Sequence, residues 1–235
     1  MTVEEKEKLF GDVDSLLEIY KKHDPINAIG KFTIEEVKAT TIEMLDFIVE
    51  DKIELENLKN WMNTHDFWAS PASARYHGNV KGGLAAHSLL VAKQALSYAK
   101  MLAENFMESK NAEKFSFTAE EVLLAAVAHD FCKAGSYSTE SRKTKDYMGN
   151  WTYETYYKVR SDWRNLGHGN ESVLLLLESM PSIIKKRHVI EAVSRHMGFS
   201  DLSDMERMNY SNFLQNPLVV LIQIADETAA QWWDL

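Results

Sequence analysis

Leu84, His87, Val91, Ala95, Tyr98, Leu102 and Phe106 recur at intervals of three and four residues, the period of one face of an α-helix. The same period runs through most of the chain. Thr2 with Glu5 has capping-box spacing and opens a first helix to about Lys22, ahead of Asp24-Pro25. Thr33 with Glu36 opens a second, long helix. It carries Ile34, Val37, Leu45, Ile48, Val49, Leu55, Leu58 and Trp61, and ends between Asn63 and His65. Ser70-Pro71 to Gly83 reads as a loop from its Pro, Ser, Asn and Gly content. Thr118 with Glu121 starts a helix that finishes in His129-Asp130.

From 134 to 165 the helical period fails. Thr144-Lys145-Asp146-Tyr147-Met148, Gly149-Asn150 and the run from Trp151 to Val159 read as a β-hairpin inserted at about 140–162. Helices resume at His168, with Pro181 ending one or beginning the next, and His196 stands just before Gly198, a helix stop. Residues 199–216, with Asp201, Ser203, Asp204 and Asn216-Pro217, read as a loop region with room for a short helix. A final helix carries Asp226 and ends at Gln231-Trp232-Trp233. The expected fold is an all-α helical bundle with a small β-hairpin insertion. Residues 1–65 form helices packed on the main domain, residues 66–235.

Several polar residues fall where this pattern calls for core side chains. His87 lies on the stripe above. His129 follows Val122 to Ala128, the longest apolar run. His196 continues Val189, Ala192 and Val193. Asp226 continues Val219 and Ile222 and leads to Ala229 and Trp233. Burying an unpaired carboxylate costs several kcal/mol, so Asp130 and Asp226 need a cation. Lys and Arg can supply it, and so can a metal. Neighbouring imidazoles favour a divalent metal, because imidazole with carboxylate suits Zn, Fe, Mn, Ni or Co. A hydrogen-bonded core histidine and a capping or ion-paired aspartate are the plain alternatives at any single position. The ordered set His87, His129-Asp130, His168, His196, Asp226 on successive helices weighs against them.

That order, with His129-Asp130-x-x-Lys133, resembles the HD superfamily of metal-dependent phosphohydrolases. Pro71-Ala-Ser-Ala-Arg-Tyr-His-Gly-Asn-Val-Lys-Gly-Gly-Leu-Ala-Ala-His-Ser88 and Leu166-Gly-His-Gly-Asn-Glu-Ser172 are similar to the HD domains of some bacterial 3′-to-5′ exoribonucleases. They are also similar to small stand-alone HD proteins of phages and their hosts. The resemblance covers roughly residues 65–230 and implies an HD-domain helical bundle around one or two divalent ions, Mn, Fe, Ni, Co or Zn, with Mg also compatible. It further implies that His87, His129, Asp130 and Asp226 hold one ion, and that Asp130 bridges to a second held by His168 and His196. The exoribonuclease-like pattern often has a second histidine just before His196. Here that residue is Arg195, which cannot ligate a metal but can grip phosphate. Asp130 and Lys133 are the expected catalytic residues, Lys133 sharing a helical face with His129 and neutralising phosphate charge. Arg75, His77, Lys133 and Arg195 are the expected substrate contacts, the first two from the loop at the mouth of the site. Surface positions are the plain alternative for Lys133, Arg75 and His77.

Composition narrows the partners. No apolar run approaches the ~20 residues of a membrane span. The polar start Met1-Thr-Val-Glu-Glu-Lys-Glu-Lys8 is unlike a signal peptide. The single cysteine, Cys132, excludes an internal disulfide and fits a reducing, cytoplasmic setting. A net charge of −9 argues against a long nucleic acid, and the basic runs Arg142–Lys145 and Lys185–Arg187 read as solvated faces. A small nucleotide is the expected substrate. The five aromatics from Tyr147 to Tyr157 suit a lid over a base, a homodimer surface or edge packing. Three functions stay open: a nucleotide phosphohydrolase, which leads, an HD-fold di-iron oxygenase, and a non-catalytic nucleotide-binding protein.

Overall fold

The computed structural model describes residues 1–200, 202–233 and 235; Asp201 and Asp234 lie outside the described residues. Helix α1 covers Val3–His23 and is closed at both ends. The Thr2 hydroxyl and Glu5 carboxylate form a reciprocal capping box, and Asp24 turns the chain in a left-handed conformation. The long second helix expected from the sequence is two helices, α2 over Ile34–Ile48 and α3 over Lys52–Thr64. The break has a local cause. Val49 is extended, the Asp51 carboxylate accepts from the Ile53 and Glu54 N–H groups, and Lys52 Nζ donates to the Asp46 and Val49 carbonyls. Asp51 therefore starts one helix while Lys52 satisfies the end of the other.

Helix α4, Gly83–Met107, is the axis of the core. It packs against α9, Pro217–Trp232, and α5, Ala119–Ala128, and α1 backs it from the N-terminal side. Side chains of α1, α2 and α3 share one buried apolar cluster with α4, α5 and α9. Between α5 and α9 run α6, His168–Ser179, α7, Arg187–Arg195, and α8, Asp204–Phe213. Helix α8 is a full capping-box helix, with Ser203 and Glu206 as its reciprocal pair, inside the region read as mostly loop. A 3-10 turn from Pro181 to Lys185 links α6 to α7.

The inserted hairpin pairs β1, Tyr137–Lys145, with β2, Trp151–Val159, in an antiparallel register that places Tyr137 opposite Val159 and Lys145 opposite Trp151. It begins and ends about three residues before the expected bounds. Its turn spans Asp146 to Asn150. Asp146 Oδ1 accepts from the Met148 and Asn150 N–H groups, and Gly149 takes φ 83°. No described helix is long and apolar enough to cross a membrane.

Candidate metal centre

Two close backbone approaches set the frame. A Cβ on Gly83, the first residue of α4, would lie 2.0 Å from the Gly78 carbonyl oxygen. Glycine there lets the 71–80 loop cross the start of α4, which sets the His77 ring against that of His87, tilted by 42° at a 4.6 Å centroid distance. A Cβ on Gly169 would lie 2.2 Å from the Ser194 carbonyl oxygen. That contact draws the start of α6 onto the end of α7, and His168 and His196 border one cleft as a result. His129 and Asp130 come from the end of α5. The helix stops at Ala128, and residues Phe131–Lys133 form a 3-10 turn. Lys133 therefore does not continue a helical face with His129, as the spacing suggested. It folds back onto Asp130, Nζ to Oδ2 2.5 Å.

Asp130 is the hub. His129 Nε2 lies 3.3 Å from its Oδ2 and His196 Nε2 lies 3.6 Å from its Oδ1. On the other side, His87 Nε2 lies 3.1 Å from Asp226 Oδ1 and 3.3 Å from His129 Nε2. Among the described residues these atoms form two groups able to hold an ion, His87–His129–Asp226 and His129–Asp130–His196, with His129 common to both. Asp130, the shared residue in the division that the family resemblance implies, also borders the first group, its Oδ2 4.0 Å from His87 Nε2. His168 belongs to neither group and lines the adjoining cleft.

The hydrogen bonds at the back of the rings show which atoms are lone pairs. His129 Nδ1 and His196 Nδ1 each lie 2.7 Å from a backbone carbonyl three residues earlier, Ala126 and Val193. A carbonyl only accepts, so Nδ1 carries a proton and Nε2 is the atom each ring turns towards the site. Asp130 Oδ1 and His196 Nε2 are buried and, among the described residues, without hydrogen-bond partners. They lie 3.6 Å apart, and a divalent ion between the carboxylate oxygen and an Nε2 lone pair would satisfy both atoms. Two carboxylates face one ammonium here, so the charge is also short of balance. The donor set fits a divalent metal on both grounds.

The titration of the site follows from the same contacts. Burial opposes charge on Asp130, but Lys133 and His129 outweigh it and hold the carboxyl well below its usual range. Burial also opposes charge on Asp226, where the His87 hydrogen bond and His129 prevail. Burial pushes the His87 pKa down despite Asp226. Burial opposes charge on His129 too, but Asp130 outweighs it and the pKa rises. His77 is pushed down to about 4 by burial, with His87 and Lys133 adding to the effect. Burial pushes the Cys132 thiol up to about 12, so it is no thiolate ligand.

The cleft above the centre is lined by His77, Asp130, Lys133, His168, His196 and Asp226. Met197, Ser200, Glu227, Ala230 and Gln231 complete it. Glu227 and Gln231 escaped the sequence reading, although their four-residue spacing on α9 puts them on one face. Arg75 is exposed in a second cleft, beside Asn79, Arg142, Glu154 and Tyr156 of the loop and hairpin. Arg195 turns away from the centre. Its guanidinium pairs with Glu206 at 3.3 Å and lies over the Phe213 ring.

The model of the HD domain family matches residues 84–231. The chain belongs to the HD-domain family. HD domains are generally metal-dependent hydrolases, and all six candidate ligands of this HD domain fall inside the matched span, whereas Arg75 and His77 precede it. No curated protein and no solved structure matches the chain.

Proposed function

We propose that this HD domain hydrolyses a phosphate ester or phosphoanhydride of a nucleotide or small signalling nucleotide. The observation that carries the reading is the Asp130–Lys133 pair, which puts a buried ammonium at the edge of the candidate His/Asp metal centre, inside an open cleft. A divalent ion bound there supplies Lewis acidity and a water of lowered pKa. The chain's own groups do the rest. Asp130, His87, His129, His196 and Asp226 fix the centre, with His168 beside it. Lys133, held charged by Asp130 although burial opposes it, presents positive charge to the phosphoryl oxygens as negative charge builds on them. His77 stays neutral at pH 7, so it donates or accepts a hydrogen bond without adding charge. Arg75 stands farther out, where it meets a distal phosphate. Arg195 is committed to Glu206 and is assigned no substrate contact.

The test is incubation of the purified protein with a panel of mono-, di-, tri- and cyclic dinucleotides in Mn²⁺, beside an Asp130→Ala control, with products identified by mass. Phosphate, pyrophosphate or a linearised dinucleotide, absent from the control, is the expected result. Bound metal with no product from any compound contradicts the proposal.

A further inference from the structure

The register of the hairpin sorts its side chains onto two unlike faces, because cross-strand partners share a face and successive residues alternate. One face is self-neutralised. Arg142 pairs with Glu154 at 2.9 Å, Lys158 with Glu140 at 3.1 Å, and the Tyr156 hydroxyl donates to Glu140 at 2.8 Å. The opposite face carries Lys143 across from Tyr153, Lys145 across from Trp151 and Thr139 across from Tyr157, with no acidic residue. Its two ammonium groups lie 4.9 Å and 5.2 Å from the centre of the Trp151 ring, and among the described residues neither pairs with a carboxylate. Trp151 is 63% exposed and Tyr153 74%. Asp146, at the tip, is turned into the loop by its bonds to Met148 and Asn150.

We propose that this face, built on Lys143, Lys145, Trp151 and Tyr153, binds a short segment of single-stranded nucleic acid. Exposed aromatics gathered on one face of a ribbon mark a contact surface. The lysines call for an anion and the rings call for flat partners, and a nucleotide strand offers both. Trp151 and Tyr153 are two residues apart on one strand, about 7 Å, roughly twice the ~3.4 Å step between stacked bases. Each ring can therefore stack a base of its own along the strand. Stacking of this kind tolerates any base sequence. The chain as a whole carries a net charge of −9, so only the local charge assists binding, and the site is short and salt-sensitive. Two phosphate contacts give a slope near −1.4 in log affinity against log salt, about fivefold between 50 and 150 mM. The inference does not depend on the reaction proposed above.

Anisotropy of a labelled oligothymidylate of about twelve nucleotides, titrated with the full chain at 50 mM salt, tests it. The expected results are affinity in the micromolar range, a loss of about fivefold at 150 mM salt, and roughly a tenfold loss in Trp151→Ala, the size of one stacking contact. Lys143→Gln with Lys145→Gln weakens binding by a similar factor and flattens the salt dependence. Arg142→Gln with Glu154→Gln, on the opposite face, leaves it unchanged. No anisotropy change at 50 mM salt overturns the proposal, as does equal weakening by the opposite-face pair. A dimer by sedimentation that Trp151→Ala dissolves, with no oligonucleotide bound, also overturns it and assigns the face to a second copy of the chain.

Discussion

Lys133 holds together two properties of Asp130, its burial and its charge. With the Lys133 side chain 13% exposed and that of Asp130 3%, the pair lies out of bulk water, and loss of one partner leaves a buried charge uncompensated. Lys133→Ala is therefore expected to destabilise the metal-free protein by about 3–5 kcal/mol. Added Mn²⁺ should restore most of that loss by taking the ammonium's place as counter-charge. Urea unfolding with and without the ion measures both, and a loss of stability that Mn²⁺ leaves unchanged contradicts the assignment. In the assay of the proposed reaction, the same variant should retain metal and lose about 10²- to 10³-fold in turnover, the scale of removing one charge-stabilising donor. Most of these residues are legible in the sequence, since a histidine or aspartate in an apolar stripe has to be explained. The Lys133–Asp130 contact is not, because it needs the 3-10 turn at Phe131–Lys133, and periodicity sees only a continuing helix. The direction of Arg195 is equally hidden, as it depends on a contact with Glu206 of α8, which the spacing along the chain does not specify.

Among the helices, the site is set by short-range backbone contacts. Gly169→Ala forces a Cβ to within 2.2 Å of the Ser194 carbonyl oxygen, so α6 and α7 must separate. A cost of about 1–3 kcal/mol is expected, with weaker metal binding as His196 shifts. Chemical denaturation read beside metal titration checks both, and unchanged values would show that the two helices have slack. Glu121 caps α5, the helix that ends at His129. Burial raises its pKa, but its ion pair with His188 at 2.9 Å prevails and the net shift is downward. A carboxyl depressed in the folded state contributes stability above its unfolded pKa, near 4.3, and loses it as pH falls through the folded value. Glu121→Gln should therefore be less stable than the wild type at pH 6 and converge on it below pH 4, a difference that thermal melts across pH resolve. The capping boxes at Thr2, Thr118 and Ser203 each have a sequence signature. The α2–α3 break was missed because its signal is one capping Asp51 within an unbroken run of apolar spacing.

The whole molecule places a candidate metal centre, two carboxylates against one lysine, inside a protein that is acidic overall. Such a centre recruits cations first and phosphate only after them. Binding of nucleotide to the main cleft should thus require the divalent ion. Calorimetry with and without Mn²⁺ should show nucleotide binding only in its presence, and equal binding without it would separate the cleft from the metal. At this scale the sequence was informative about the bundle and the inserted hairpin. It was silent on the two faces of that hairpin, which only the strand register separates.

The most direct measurement is the metal content of the purified protein after reconstitution with Mn²⁺, Fe²⁺ or Zn²⁺ and removal of the excess, compared with Asp130→Ala. The account predicts one or two equivalents of tightly held divalent metal in the wild type and a large loss in the variant, with the fold intact by circular dichroism. Equal metal content in the two proteins, or none in the wild type with any of the three ions, would contradict it.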